Sequence, residues 1–184
     1  MLFRSAAGTD GYHTYRIPAL EVTATGAVLA FCEGRRDGSG DSGQIDLLMR
    51  RSDDGGRTWG QSHVVVTEPG MTCGNPAPVL DRHTGTIWLP FCKNHADGDE
   101  ALIRKGLAPR TVWVTRSDDD GASWADPVEI TAVVKHPGWT WYATGPCHGI
   151  QLRSGRLVVP CDLDRKSTRL NSSHSSVSRM PSSA

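Results

Sequence analysis

Apolar residues in this chain come in short runs, some alternating with polar residues and some unbroken, and each run is closed by a turn signal. Residues 15–22 and 27–33 flank Thr25-Gly26 and read as a β-hairpin. Residues 45–51 and 63–67 add two strands, and four short strands joined by turns make one blade-sized sheet. The order then recurs. Residues 78–80, a turn at Thr84-Gly85 and residues 86–92 repeat the hairpin, and residues 111–115 and 128–130 repeat the outer pair. A third round opens at residues 149–152, turns at Ser154-Gly155 and runs through residues 156–161. No long segment carries a 3.6-residue apolar period, so the pattern predicts an all-β chain.

An eight-residue phrase follows the third strand of each of the first two rounds. It reads S-D-D-G-G-R-T-W from Ser52 to Trp59 and S-D-D-D-G-A-S-W from Ser117 to Trp124, and its first serines are 65 residues apart. Both copies fit S-x-D-x-G-x-[T/S]-W. A turn repeated at this spacing predicts a propeller or an array rather than one irregular core. Asp54 and Asp119 are placed to accept from nearby backbone N–H groups and lock a tight turn. Gly56 and Gly121 permit positive φ, Thr58 and Ser123 complete the phrase, and Trp59 and Trp124 can pack under the turn. These residues read as structural. Clustered aspartates also invite a calcium loop, but no Glu follows at EF-hand spacing and no helices flank the phrase. No metal site is expected.

The 184 residues carry 20 basic and 20 acidic side chains, so no global field attracts nucleic acid or an anionic membrane. No apolar run approaches the roughly 20 residues of a spanning helix. Met1-Leu2-Phe3-Arg4 lacks the regions of a signal peptide, so either the protein is cytosolic or its true start is missing. The five cysteines show no C-x-x-C spacing, and Cys32, Cys92 and Cys161 lie in apolar runs, where a thiol behaves as a small hydrophobe. The seven histidines are scattered with no H-E-x-x-H, which argues against a metal-dependent hydrolase. No cofactor is expected.

Two segments carry candidate chemistry. Tyr15-Arg16-Ile17-Pro18 opens the first strand. Arg16 sits among apolar neighbours in sequence, as a structural ion pair or as a fork for a carboxylate ligand. From Ala30 an apolar strand runs into Glu33-Gly34-Arg35-Arg36-Asp37 and a glycine-rich loop through Asp41. A mobile Gly/Ser loop bearing one acid suits a lid for acid–base work; the alternative is an ordinary solvated turn.

Together these pieces resemble the sialidase (neuraminidase) family in its bacterial exo-α-sialidase form. The Y-R-I-P motif, the E-G-R-R loop with its following Asp and two Asp boxes occur in the expected order. The likeness continues through Asn75-Pro76-Ala77-Pro78, Trp141-Tyr142-Ala143-Thr144-Gly145-Pro146 and residues 156–162. It implies a six-bladed β-propeller that hydrolyses terminal α-linked sialic acids of glycoconjugates with retention, using a Tyr nucleophile beside a Glu, three arginines on the sugar carboxylate and an Asp as general acid/base. Carried over, Arg16 matches the first arginine of the triad and Arg35 a further pocket arginine, a role Arg36 could take instead. Asp41 is the acid/base, with Asp37 as the alternative. Asn75 lines the N-acetyl side or is only a turn residue before Pro76.

The resemblance places the Tyr, its Glu and the other two triad arginines in later blades. Residues 1–163 are therefore expected to form blades one, two and part of three, inactive alone, within a sialidase that is often exported in this family. Residues 164–184 are Ser/Arg-rich, and D-R-K-S-T-R-L-N-S-S-H resembles the translation of a sequencing-adapter end. They are expected to be non-native or disordered. The competing reading is a non-catalytic Asp-box propeller that binds glycan or protein, which has no need to assemble Arg16, Arg35 and Asp41.

Overall fold

The computed structural model describes residues 6–145, 147–165 and 176–179. The first blade is antiparallel: β1 (Thr14–Val22), β2 (Val28–Arg35), β3 (Ile45–Ser52) and β4 (His63–Val66) pair in order. In the second, β5 (Met71–Gly74) and β6 (Val79–Leu80) pair with successive parts of β7 (Ile87–His95), which is followed by β8 (Thr111–Ser117) and β9 (Val128–Glu129). In the third, β10 (Trp139–Thr144) and β11 (Ile150–Gln151) pair with successive parts of β12 (Leu157–Arg165). Two short helices, α1 (Glu100–Arg104) and α2 (Thr131–Val134), lie in the connections. A parallel bridge from Ile45 to Thr72 joins the first two blades.

The cores lie between neighbouring blades, as a propeller requires. Leu29, Phe31 and Met49 of the first blade pack with Ile87 and Leu89 of the second. Val79, Cys92 and Val112 of the second pack with Tyr142, Val159 and Cys161 of the third. Middle strands are covered on both faces, so β2 is buried from Leu29 to Arg35, whereas β1 alternates as a strand with one open face does. Cys32, Cys73, Cys92 and Cys161 are buried and free. Burial pushes the Cys32 and Cys73 thiols up to about 12.

Each inner strand is interrupted at the same place. The residue before a proline takes positive φ: Ile17 at 54°, Asn75 at 59° and Gly145 at 80°. Position before proline normally enforces extended backbone, so this is a sparsely populated geometry for Ile17 and Asn75. It shifts the β1–β2 register between Arg16 and Ala19 and separates β5 from β6 and β10 from β11.

Both Asp boxes form as the phrase predicts. Asp54 accepts from Arg57 N (2.9 Å), Thr58 N (2.8 Å) and the hydroxyls of Ser52 and Thr58. Asp119 accepts from Ser123 N (2.8 Å) and the hydroxyls of Ser117 and Ser123. Gly56 and Gly121 sit at φ 86° and 84° and donate their N–H to Ser52 and Ser117. The tryptophans differ. Trp124 meets Phe31 of the first blade edge-on at 5.7 Å, while Trp59 Nε1 donates to Gly56 O of its own box at 3.0 Å. The second box thus docks on the preceding blade, and Gly121 approaches so closely that a Cβ would stand 2.7 Å from Leu29 Cδ1.

Several elements depart from the sequence pattern. β5, β10 and both helices are not signalled: β5 is four residues long, and α1 rests on local capping, with Asp99 accepting from Leu102 N at 2.8 Å. β2 runs two residues past its expected end at Glu33, which draws Arg35 into the sheet. β13 (Ser176–Arg179) pairs with β12 over Val158–Cys161, in a stretch where the pattern offers no strand. An open strand edge accepts such pairing readily. The rest of residues 164–184 beyond Arg165 lies outside the described residues.

Candidate functional site

Three of the expected residues converge at the β1–β2 end of the first blade. Asp41, on the loop between β2 and β3, meets both arginines on one oxygen: Oδ1 accepts from Arg16 Nη1 at 3.0 Å and forms an ion pair with Arg35 Nη1 at 2.8 Å. The two guanidiniums differ in setting. The Arg35 side chain is 3% exposed and that of Arg16 46%, so Arg16 does not lie among its apolar neighbours. Arg16, on the edge strand β1, pairs in register with Glu33 just before the break at Ile17, and is exposed at the rim.

Arg35 is held from behind and holds the loop in front. Its Nε and Nη2 donate to Glu33 Oε2 at 3.0 and 2.6 Å. Its Nη1 donates to Ser39 O and Gly40 O, both at 2.7 Å. The loop expected to be mobile is therefore tied to a buried cation. Glu33, itself buried, accepts on Oε1 from Asn75 N at 2.9 Å. Gly74 makes room for this carboxylate, since a Cβ there would stand 2.6 Å from Oε1.

Arg36 turns away from this cluster. Arg36 lies 5.1 Å over the Tyr12 ring and donates to Asp46 Oδ2 through Nε (3.0 Å) and Nη2 (2.6 Å). Asp46 also accepts from Tyr12, Gln44 and Thr67. Burial works to raise the Asp46 pKa, but these donors outweigh it and hold the carboxyl below its usual range. Asp37 is exposed on the loop. Strand alternation, carried one residue past β2, accounts for the opposite directions of Arg35 and Arg36.

Asn75 joins the cluster to the next blades. Its carbonyl accepts from Thr144 Oγ1 at 2.6 Å, and its Oδ1 accepts from Arg110 Nη2. Arg110, missed in the sequence, is buried with its guanidinium 4.4 Å over Trp141. It also donates to Tyr142 O (2.7 Å) and Asn94 Oδ1. No sequence signal marks it: it follows Gly106-Leu107-Ala108-Pro109 in the connection before β8 and belongs to no motif. Glu33 was visible in the E-G-R-R run but carried no stated role. A cavity of about 580 Å³ lies elsewhere, among Glu21, Arg82, His148 and Gln151, and contains none of the predicted site residues. Among the described residues no group of three or more His, Cys, Asp or Glu is placed to hold a metal, and no helix is long and apolar enough to cross a membrane.

The architecture and the rim cluster thus define a β-propeller built of Asp-box blades. The chain belongs to the BNR repeat-like domain family, whose model matches residues 26–181. Among curated relatives, it is 37% identical to an exo-alpha-sialidase of Aspergillus fumigatus over 86% of this chain and 46% of that protein. It is 37% identical to a sialidase of Micromonospora viridifaciens over 82% of this chain and 25% of that one. The chain spans about half or less of the length of the curated relatives it matches. A solved Hadza microbial sialidase superposes with TM-score 0.79 and 32% identity, over 87% of this chain and 34% of that one. An intramolecular trans-sialidase of Ruminococcus gnavus, at TM-score 0.73 and 16% identity, shares the fold.

Proposed function

We propose that the whole protein is an exo-α-sialidase, a glycoside hydrolase that removes terminal α-linked sialic acids from glycoconjugates with retention. The observation that carries this reading is the convergence of Arg16 and Arg35 on Asp41 at one end of the first blade. Arg16, half-exposed, supplies a planar fork for the carboxylate of the sugar. Asp41, exposed on the same rim, is within reach of a glycosidic oxygen there and serves as general acid and then base. Among the described ion pairs it is Asp41, rather than Asp37, that meets Arg16 and Arg35, which favours Asp41 over Asp37. Arg35 fixes the Asp41 loop and supplies positive charge from beneath. Arg36 belongs to the Asp46 network instead. Asn75 lines the neighbouring wall, oriented by Arg110. The relatives named as sialidases support the same assignment.

The test is hydrolysis of a fluorogenic α-sialoside by the full-length protein. Turnover that falls by two or more orders of magnitude in Asp41→Ala supports the reading. Binding of the sialoside with no turnover in the wild type would place the protein among non-catalytic glycan binders instead.

A further inference from the structure

Arg16 is occupied by the protein's own carboxylate. Its Nη1 lies 3.0 Å from Asp41 Oδ1, and its other contact, to Ser39 O, is long at 3.5 Å. Arg35 by contrast is fixed by two bonds to Glu33 and two to loop carbonyls, and it is buried. Of the two cations on Asp41, only Arg16 is free to exchange partners. Both members of the Arg16–Asp41 pair are exposed, at 46% and 65%, so the pair is weak and open to competition from solution.

We propose that Asp41 is an internal competitor for the ligand-carboxylate seat on Arg16, so that binding of an acidic sugar exchanges one carboxylate for another and releases Asp41 from Arg16. This rests on the reading of Arg16 as the carboxylate grip. The exchange conserves charge pairing at Arg16 and needs no other co-reactant. Asp41 keeps its ion pair with Arg35, and the loop keeps its Ser39 and Gly40 anchors, so the carboxylate stays near the ligand after it is displaced. Ligand binding and the freeing of the acid are then one event. A corollary follows: the residue that turnover needs lowers the affinity of the ground-state complex.

The probes are free N-acetylneuraminic acid and its methyl ester, titrated into the full-length protein and its D41N variant, with D53N as a charge-matched control. Asp53 is exposed and pairs with Arg51, outside the cluster. The free acid is expected to bind D41N about two- to fivefold tighter than wild type. D53N should match the wild type, and the ester should bind all three equally weakly. D41S, which also removes the carboxylate, should reproduce D41N, which separates competition from any effect of the amide. Unchanged or weaker binding of the free acid to both Asp41 variants overturns the proposal. If that result accompanies normal sialoside turnover by the full-length protein, the exchange alone fails. Free acid and ester bound equally by the wild type would overturn the role of Arg16 itself.

Discussion

Asn75 donates its backbone N–H to the buried carboxylate of Glu33 at 2.9 Å, across the join between the first two blades. The bond depends on the left-handed conformation of Asn75, which turns the chain out of β5. Through it the inner strand of one blade braces the ion pair that carries the Asp41 loop of another. Arg110 extends the brace toward the third blade through Asn75 and the carbonyl of Tyr142.

Breaking this brace should cost stability out of proportion to its size. Glu33→Gln removes the buried counter-charge of Arg35, leaving only the exposed Asp41 opposite it, and is expected to lower the unfolding free energy by about 3–5 kcal/mol in urea titration. Gly74→Ala places a methyl 2.6 Å from Glu33 Oε1, an atom pinned by its bond to Asn75 N. It should cost about 1–3 kcal/mol by overpacking. A neutral Gly74→Ala would show that Glu33 is not held there.

Arg35 and Arg36 are neighbours in sequence with different work. Arg35→Gln should free the loop, read as proteolytic cleavage between residues 36 and 44 that the wild type resists. Arg36→Gln should leave the loop anchored and cost about 1 kcal/mol through Asp46, which retains three other donors. Equal protease sensitivity in both variants would contradict the division.

The Asp boxes predict a pH dependence. Hydrogen bonds, first from the Ser123 hydroxyl and then from its N–H, hold the Asp119 pKa down at about 2. Asp54 is lowered in the same way, chiefly by Thr58. A depressed carboxylate contributes stability that is complete above its unfolded value of about 3.9 and is lost as pH falls toward the folded value. Stability should therefore decline between about pH 4 and pH 2, and Asp119→Asn should flatten part of that decline. Unfolding free energy measured across this range decides it.

Asp120 holds φ 55° where the first box has Gly55 at 71°. It stays there because its carbonyl accepts from Arg51 at 2.6 Å and its carboxylate from Thr25 at 2.6 Å, both on the first blade. Asp120→Ala loses the Thr25 bond and keeps the strain, while Asp120→Gly loses the bond but relieves the strain. Asp120→Gly should be the more stable of the two by about 1 kcal/mol. The opposite order would mean that the left-handed conformation here carries no cost.

Repetition made much of this fold legible. Each Asp box is closed by its own side chains, so eight residues suffice to define it, and each hairpin announces its turn. The inner strands of the second and third blades were harder. They are cut by Asn75-Pro76 and Gly145-Pro146 into pieces too short for a period-two pattern, and β5 went unread. Arg16, Arg35 and Asp41 could be named from the Y-R-I-P and E-G-R-R segments. That Arg16 is exposed and Arg35 buried could not, because β1 is the edge strand of the sheet and β2 is covered by neighbours on both sides. Arg110 was invisible, since its partners come from three separate segments around Asn75, Asn94 and Tyr142.

The most direct measurement is a crystal structure of the full-length protein with N-acetylneuraminic acid bound. The account predicts the sugar carboxylate on the Arg16 guanidinium at about 3 Å, with Asp41 released from Arg16 and still beside Arg35. A sugar seated elsewhere, with the Arg16–Asp41 pair intact, would contradict it.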